Sequence, residues 1–289
     1  MVNTPFWEEV NRQIRDATGT DFQGRGLGDV GGGCISQANR LVDQTTDQAY
    51  FIKQNRAELL DMFQTEAMGL AQIANTETIR VPKPVCWGLA DGTAFLVLEW
   101  LDLGHSGSYA LMGEQLAALH ACRPSQQFGW DRSNYIGATK QVNARSENWS
   151  HFFLEQRLDY QVSLAGKRRL ARYDELRRAL PDILSHQPSP SLVHGDLWSG
   201  NASFTKQGEP VIYDVAAYYG DREVDLAMSE LFGGFSRDFY LTYAAALPLT
   251  PGYERRRTLY NLYHVLNHYN LFGGHYLGQA NRMIAELLN

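Results

Sequence analysis

Apolar positions along this chain repeat with two different periods, and the change of period divides the sequence. Through about the first hundred residues, short apolar runs rich in β-branched and aromatic residues are bounded by turn residues. "GDVGGGCISQANRLV" and "QAYFIKQN" read as a hairpin with a glycine-rich bend, and "VPKPVCWGLADGTAFLVLEWL" reads as two strands joined at Asp91-Gly92. One helix is predicted among them, because "AELLDMFQTEAMGLAQIA" places Leu59, Met62, Phe63, Ala67 and Leu70 at helical spacing. From about Ser106 the pattern turns helical, through "YALMGEQLAALHA", "NWSHFFLEQRLDYQVSLA", "YDELRRALPDIL", "RTLYNLYHVLNHYNLF" and "NRMIAELL". The expectation is an α+β chain in two lobes: a β-rich N-terminal lobe over residues 1–101 and a mainly helical C-terminal lobe over residues 102–289.

Composition narrows the function more than the fold. A chain of 289 residues suits two lobes better than one small domain. A net charge of -6 without a polybasic patch argues against nucleic acid as a partner. The start, "MVNTPFWEEV", lacks a basic region followed by an apolar core, and no apolar run approaches the roughly 18 residues of a membrane span. These features predict a cytoplasmic protein with no membrane partner. Cys34, Cys86 and Cys122 are widely spaced and odd in number, so neither a disulfide framework nor a metal knuckle is expected. The oligomeric state stays open between a monomer and a homodimer.

The stretch with the most chemistry is "LVHGDLWSGN", an apolar run that delivers Asp196 and, five residues later, Asn201. An aspartate can accept the proton of a substrate hydroxyl while an amide oxygen holds Mg2+, which prefers oxygen donors. Taken alone, the pair reads equally well as a polar turn. Next comes "EPVIYDVA", where Glu209 to Tyr213 reads as a strand ending at Asp214, a second carboxylate able to share a metal with Asn201. Together these point to phosphoryl transfer, in which metal ions bridge phosphate oxygens. That chemistry requires a phosphate cradle and a cation upstream. Gly31, Gly32 and Gly33 allow backbone N–H groups to approach phosphates closely, and Lys53 ends a strand ahead of a helix bearing Glu66, so an ion pair could aim the ammonium at the α and β phosphates of ATP.

In these segments the chain resembles the small-molecule branch of the protein-kinase-like fold, and within it the fructosamine (ketosamine) 3-kinase family. The resemblance covers nearly the whole length and is carried by "GGGCIS", "FIK", "EAMGL", "VLEWL", "FGWDRSNYIG", "NWSHFFLEQRL", "HGDLWSGN" and "YYGDREVDLAM". It implies a bilobal fold using ATP and Mg2+, with Asp196 as catalytic base, Asn201 and Asp214 as metal ligands, Lys53 paired with Glu66, and the backbone of Glu99 and Leu101 against adenine. It also implies a small-molecule or protein-bound ketosamine as acceptor, phosphorylated on its 3-hydroxyl in a deglycation repair. Val215 departs from the family pattern, which has proline after the metal aspartate. Trp198, two residues beyond the base, is expected to wall the acceptor pocket, with Asn134, Tyr135 and Tyr219 as neighbours. Cys34, beside Gly33, is a candidate redox-sensitive thiol. His194 is expected to pin the catalytic loop, Asp221 to anchor the loop behind the site, and His264 and His268 to serve packing and surface roles. Two rivals remain at this point: a kinase of the same fold acting on an aminoglycoside, choline or homoserine-like hydroxyl, and a kinase-fold binding module without turnover.

Overall fold

The computed structural model describes residues 5–29, 36–104, 106–122, 125–166 and 169–289. The chain divides into two compact units, one comprising residues 1–107 and 204–213, the other residues 108–203 and 214–289. The expected lobe boundary after Leu101 differs from the first crossing between units, which comes after Gly107. The return of 204–213 to the first unit leaves no mark in the pattern. Among the described residues no helix is long and apolar enough to cross a membrane.

The first unit opens with a helix, α1 (Pro5–Thr18), ahead of five strands: β1 (Gly24–Asp29), β2 (Gln37–Asp43), β3 (Ala49–Arg56), β4 (Pro84–Ala90) and β5 (Thr93–Glu99). These form one antiparallel sheet in the order β1-β2-β3-β5-β4. A second helix, α2 (Leu60–Ala74), follows β3 as its spacing predicts. By contrast, α1 lies where the pattern predicts mainly strands. Its apolar stripe is only Phe6, Val10 and Ile14, one turn apart, in an otherwise polar segment, and it becomes decisive only against the sheet. There the three join Phe22, Leu41, Tyr50, Ile52, Phe95 and Val97 in one buried cluster. Each side chain fully buried in this way contributes about 1.5–3 kcal/mol. Asn11, buried on the same helix, exchanges two hydrogen bonds with the backbone of Gly24 at 3.1 and 3.0 Å and so fixes where β1 begins. The returning segment supplies a short hairpin whose strand Ala202–Thr205 pairs with Leu103–Gly104 through Phe204 and Thr205, while Val211 bridges to Arg80.

The second unit is helical, as expected. Its helix Tyr253–Phe272 is buried on every side over residues 259–267, so it reads as neither amphipathic nor exposed. Helix Tyr109–Ala121 approaches helix Arg237–Ala246 closely at Gly113, where a β-carbon would come within 2.2 Å of the Phe239 carbonyl oxygen. The segment expected as one helix from Asn148 instead contains a π-helical stretch, Leu154–Asp159, between two α-helical parts. The wide turn contains Arg157, whose guanidinium lies 4.1 Å from the Tyr218 ring centroid and 4.6 Å from that of Phe152. Strand Ser191–Val193 pairs antiparallel with Tyr218–Gly220, and that pairing sets the region before Tyr218 beside the residues following Val193.

Candidate active site

In the first unit, Lys53 stands on β3 between Ala38 and Leu96 of the neighbouring strands. Its Nζ donates to Glu66 Oε1 on α2 at 2.6 Å, with the two side chains 12% and 11% exposed. The expected ion pair therefore forms. Glu99, at the end of β5, accepts from Arg80 and from the Lys83 N–H with its carboxylate, and its own N–H donates to the Lys83 carbonyl at 2.8 Å. Gly31, Gly32, Gly33 and Cys34 lie outside the described residues.

In the second unit, the chain leaves strand Ser191–Val193 through His194 and Gly195 to reach Asp196. Gly195 has φ of +83°, and a β-carbon there would lie 2.2 Å from the Ala216 carbonyl oxygen, so the position accepts only glycine. The N–H groups of His194 and Gly195 donate to the two carboxylate oxygens of buried Asp225 at 2.7 and 2.8 Å. His120 Nε2 lies 3.1 Å from the same carboxylate. Burial pushes the Asp225 carboxyl up, but the hydrogen bond and charge of His120, with help from His194 and the Gly195 N–H, outweigh it and hold the group below its usual value. The aspartate on helix Glu223–Leu231 thus clamps the loop that carries Asp196. The sequence suggests only a helix-start acid there, because its partners lie about 30 residues or more away along the chain.

His194 is wholly buried; its ring Nδ1 accepts from the Asp196 N–H at 3.2 Å, and its carbonyl accepts from the Ala216 N–H at 2.9 Å. It pins the loop as expected. Asn201 Nδ2 donates to the Asp196 carbonyl at 2.9 Å and reaches Oδ2 at 3.3 Å. The Asp196 carboxyl is raised to about 7, first by burial, then by the negative charges of Asp214 and Asp225, with the Asn201 hydrogen bond acting in the opposite sense. Asp214 itself sits at φ of +59°, a left-handed conformation that costs a non-glycine residue energy and survives only where neighbours enforce it. Those neighbours include the Ala216 N–H on His194 and the Gln141 amide on the Ala216 carbonyl at 3.0 Å.

A hard cation suits this arrangement. The amide nitrogen of Asn201 is committed to Asp196, leaving its oxygen as the donor atom, and Asp214 adds a carboxylate whose charge acts on Asp196. Oxygen donors carrying net negative charge are what Mg2+ requires.

Trp198 is 38% exposed. Its ring lies over Gly200, where a β-carbon would meet it at 2.2 Å, and stands edge-on to Phe232 at 6.0 Å. Asn134 and Tyr219 are both buried and both tied to the backbone that follows Asp214. The Asn134 amide donates to the Ala217 carbonyl at 2.9 Å, and its oxygen accepts from Gln141 and Asn143 at 2.8 and 2.7 Å. Tyr219 is buried in the strand beside Leu192, and Gly129 exchanges backbone hydrogen bonds with it. Both residues support the backbone that follows Asp214. Tyr135, between buried Asn134 and Ile136, is half-buried. His186, Asp221 and Glu223 also come together. Glu223 spends both oxygens on Arg256, while Asp221 accepts from Tyr260, His186 and the Glu223 N–H. Both carboxylates of that group are committed within a buried charge network, which anchors the loop at Asp221, while His186 Nδ1 has no hydrogen-bond partner among the described residues.

Residues 6–289 match a family described as fructosamine kinase. The chain belongs to the fructosamine kinase family. Within it, the chain is 49% identical over 294 residues to a protein of Synechocystis named as a probable ketoamine kinase, covering 99% of both chains. It is 42% identical over 271 residues to the chloroplastic protein-ribulosamine 3-kinase of Arabidopsis thaliana, covering 91% of this chain and 82% of the relative. A crystal structure from Haemophilus somnus, named provisionally as a fructosamine-3-kinase, matches with a TM-score of 0.91 at 29% identity, covering 99% of this chain and 98% of the other. Choline kinase from Streptococcus pneumoniae matches with a TM-score of 0.62 at 14% identity over 97% of this chain, which places the family on the kinase-like fold.

Proposed function

We propose that the protein is an ATP-dependent ketosamine 3-kinase of the cytoplasm that phosphorylates the 3-hydroxyl of fructosamine- and ribulosamine-type adducts, free or on protein amines. Membership of the fructosamine kinase family supports the reaction class. The observation that carries the assignment is the joining of Asp196, Asn201 and Asp214 around one clamped loop with an exposed, fixed tryptophan two residues beyond the aspartate. Asp196 takes the proton of the acceptor hydroxyl. The Asn201 oxygen and Asp214 would hold Mg2+, which would supply positive charge against that developing on the transferred phosphoryl group. From the first unit, Lys53, held by Glu66, binds the α and β phosphates, Gly31 to Gly33 cradle them, and the backbone of Glu99 and Leu101 meets adenine. Trp198 offers a ring face to the apolar side of a sugar or to a cationic amine. Phosphate at C3 leaves by β-elimination once the adduct enolises toward C1, and hydrolysis of the resulting imine frees the amine, which makes the reaction a deglycation repair.

The test is 31P NMR of products formed from a panel of acceptors. A 3-phosphate on ketosamines followed by release of amine and inorganic phosphate is the expected result. Faster phosphorylation of an aminoglycoside, choline or a free sugar than of any ketosamine would overturn the acceptor while leaving a kinase, and nucleotide binding without turnover on any acceptor would overturn both.

A further inference from the structure

Arg157 is wholly buried, carried inward by the π-helical stretch Leu154–Asp159. Such turns occur often at functional sites. Its guanidinium lies against the rings of Phe152 and Tyr218 and, at 5.7 Å, of Tyr263. One terminal nitrogen donates to the Val142 carbonyl at 2.5 Å and the other to Asn143 Oδ1 at 2.8 Å. An arginine can only donate, so the side-chain amide of Asn143 has one orientation open to it.

That orientation passes through a relay of buried amides. With its oxygen on Arg157, Asn143 turns its nitrogen to Asn134 Oδ1 at 2.7 Å. Gln141, opposite Asn134 in their two-stranded hairpin, donates to the same oxygen at 2.8 Å and to the Ala216 carbonyl at 3.0 Å. Asn134 is left its own nitrogen, which it gives to the Ala217 carbonyl at 2.9 Å. Tyr263 closes the set from helix Tyr253–Phe272, its hydroxyl donating to Gln141 Oε1 at 2.8 Å. The two ends of an amide are alike in shape. A donor-only cation at one end of the relay and acceptor-only carbonyls at the other therefore fix a polarity that packing alone would leave free. The carbonyls gripped in this way belong to the second and third residues after Asp214, whose φ is +59°, and the Ala216 N–H is held in turn by the His194 carbonyl. The enforcement of that left-handed conformation thus begins at Arg157.

We propose that Arg157 is a positioning residue for Asp214: through Asn143, Asn134 and Gln141 it fixes the carbonyls of Ala216 and Ala217, and this relay sets how tightly the site takes a divalent cation. The proposal rests on the reading of Asn201 and Asp214 as the ligands of that cation, and it adds the residues that act on affinity through the backbone.

The experiment reads Mn2+ binding by electron paramagnetic resonance on the full chain with a non-hydrolysable ATP analogue. It compares wild type, Asn143→Asp and Gln141→Met, with Asp214→Ala as the control for a lost ligand. Asn143→Asp keeps the size of the side chain and its contact with Arg157, and the adjacent cation keeps the new carboxylate ionised, but no hydrogen remains to give Asn134. Mn2+ affinity is expected to fall about 10- to 100-fold, the usual effect of disturbing a group that supports a metal ligand. The added negative charge alone would tighten the cation, so weaker binding reads the broken relay. Gln141→Met, similar in length and without donors, should fall by a similar factor, and it carries the test if Asn143→Asp does not fold. KM for the acceptor should stay within about 3-fold of wild type in both variants, since the relay acts on the metal side. Mn2+ affinity within about 2-fold of wild type in either folded variant, whatever its melting temperature, would make the network a packing feature and overturn the proposal. A wild type that binds no Mn2+ beyond what the nucleotide holds would sink the metal-ligand reading, and this inference with it. Binding lost in Asp214→Ala but kept in the other two variants would sink this inference alone.

Discussion

Asp196 meets three demands at once: a backbone held by His194, an Oδ2 oriented by Asn201, and a charge raised in energy by Asp214 and Asp225. Asp196→Asn keeps the shape and removes the base, so turnover should fall by roughly 100- to 10,000-fold while ATP affinity stays unchanged. A variant retaining more than about a tenth of the wild-type rate would exclude Asp196 as the base. Trp198 provides a test that leaves the aspartate alone. A methyl group at Gly200 would displace the indole ring, since the β-carbon would sit 2.2 Å from it. Gly200→Ala is expected to cost about 1–3 kcal/mol in kcat/KM for ketosamines, the scale of one good pocket contact, with KM for ATP unchanged. Steady-state kinetics with both substrates varied would show whether the loss lies on the acceptor side. The identities of Asp196, Asn201, Asp214, Lys53 and Glu66 were legible because their chemistry depends on residue type and order along the chain. Asp225 was not, because what distinguishes it is a set of contacts made across 30 residues or more.

At the scale of elements, the link between β2 and β3 shows how a single side chain sets a register. Asp43 closes β2 and accepts from the N–H groups of Gln23, Thr45 and Thr46 at 2.7, 2.8 and 2.8 Å, so it fixes the turn and fastens the entry to β1. The Gln23 N–H first, then the Thr45 hydroxyl, hold its carboxyl well below the usual value against the effect of burial. A carboxyl depressed by folding contributes stability that is fully present above its unfolded pKa, near 4, and is lost as pH falls below it. Asp43→Asn should therefore cost about 1–3 kcal/mol at pH 7, and the gap from wild type should narrow as pH falls below about 4. Urea melts at pH 7 and 3.5 measure both halves, and a gap of equal size at the two values would remove Asp43 from this role. Most helices and the strand pair about Asp91-Gly92 follow their sequence spacing closely, because each has a face that must be covered. The π-helical stretch does not, since Leu154–Asp159 carries an ordinary helical pattern and its widening accompanies the placement of Arg157 against Tyr218, 61 positions further along by number.

At the scale of the molecule, buried charge ties the last helices to the catalytic loop's surroundings. Arg256 donates to both oxygens of Glu223 at 2.6 and 2.9 Å, with the two side chains 3% and 1% exposed. Removing one partner strands the other charge in the core, and Arg256→Leu is expected to lower stability by about 3–5 kcal/mol. A urea midpoint unchanged from wild type would show that the pair is not needed for the fold. By itself the sequence determined the α+β class, the β-rich start and helical remainder, and the family, because hydrophobic period and motif chemistry are local properties of the chain. The tertiary structure alone decided that residues 204–213 count with the first unit, that α1 completes the first core, and that Asn134 and Tyr219 brace the backbone after Asp214. Each of those outcomes depends on which distant surfaces bury one another, and a one-dimensional pattern states that a face is apolar or polar without stating what it meets.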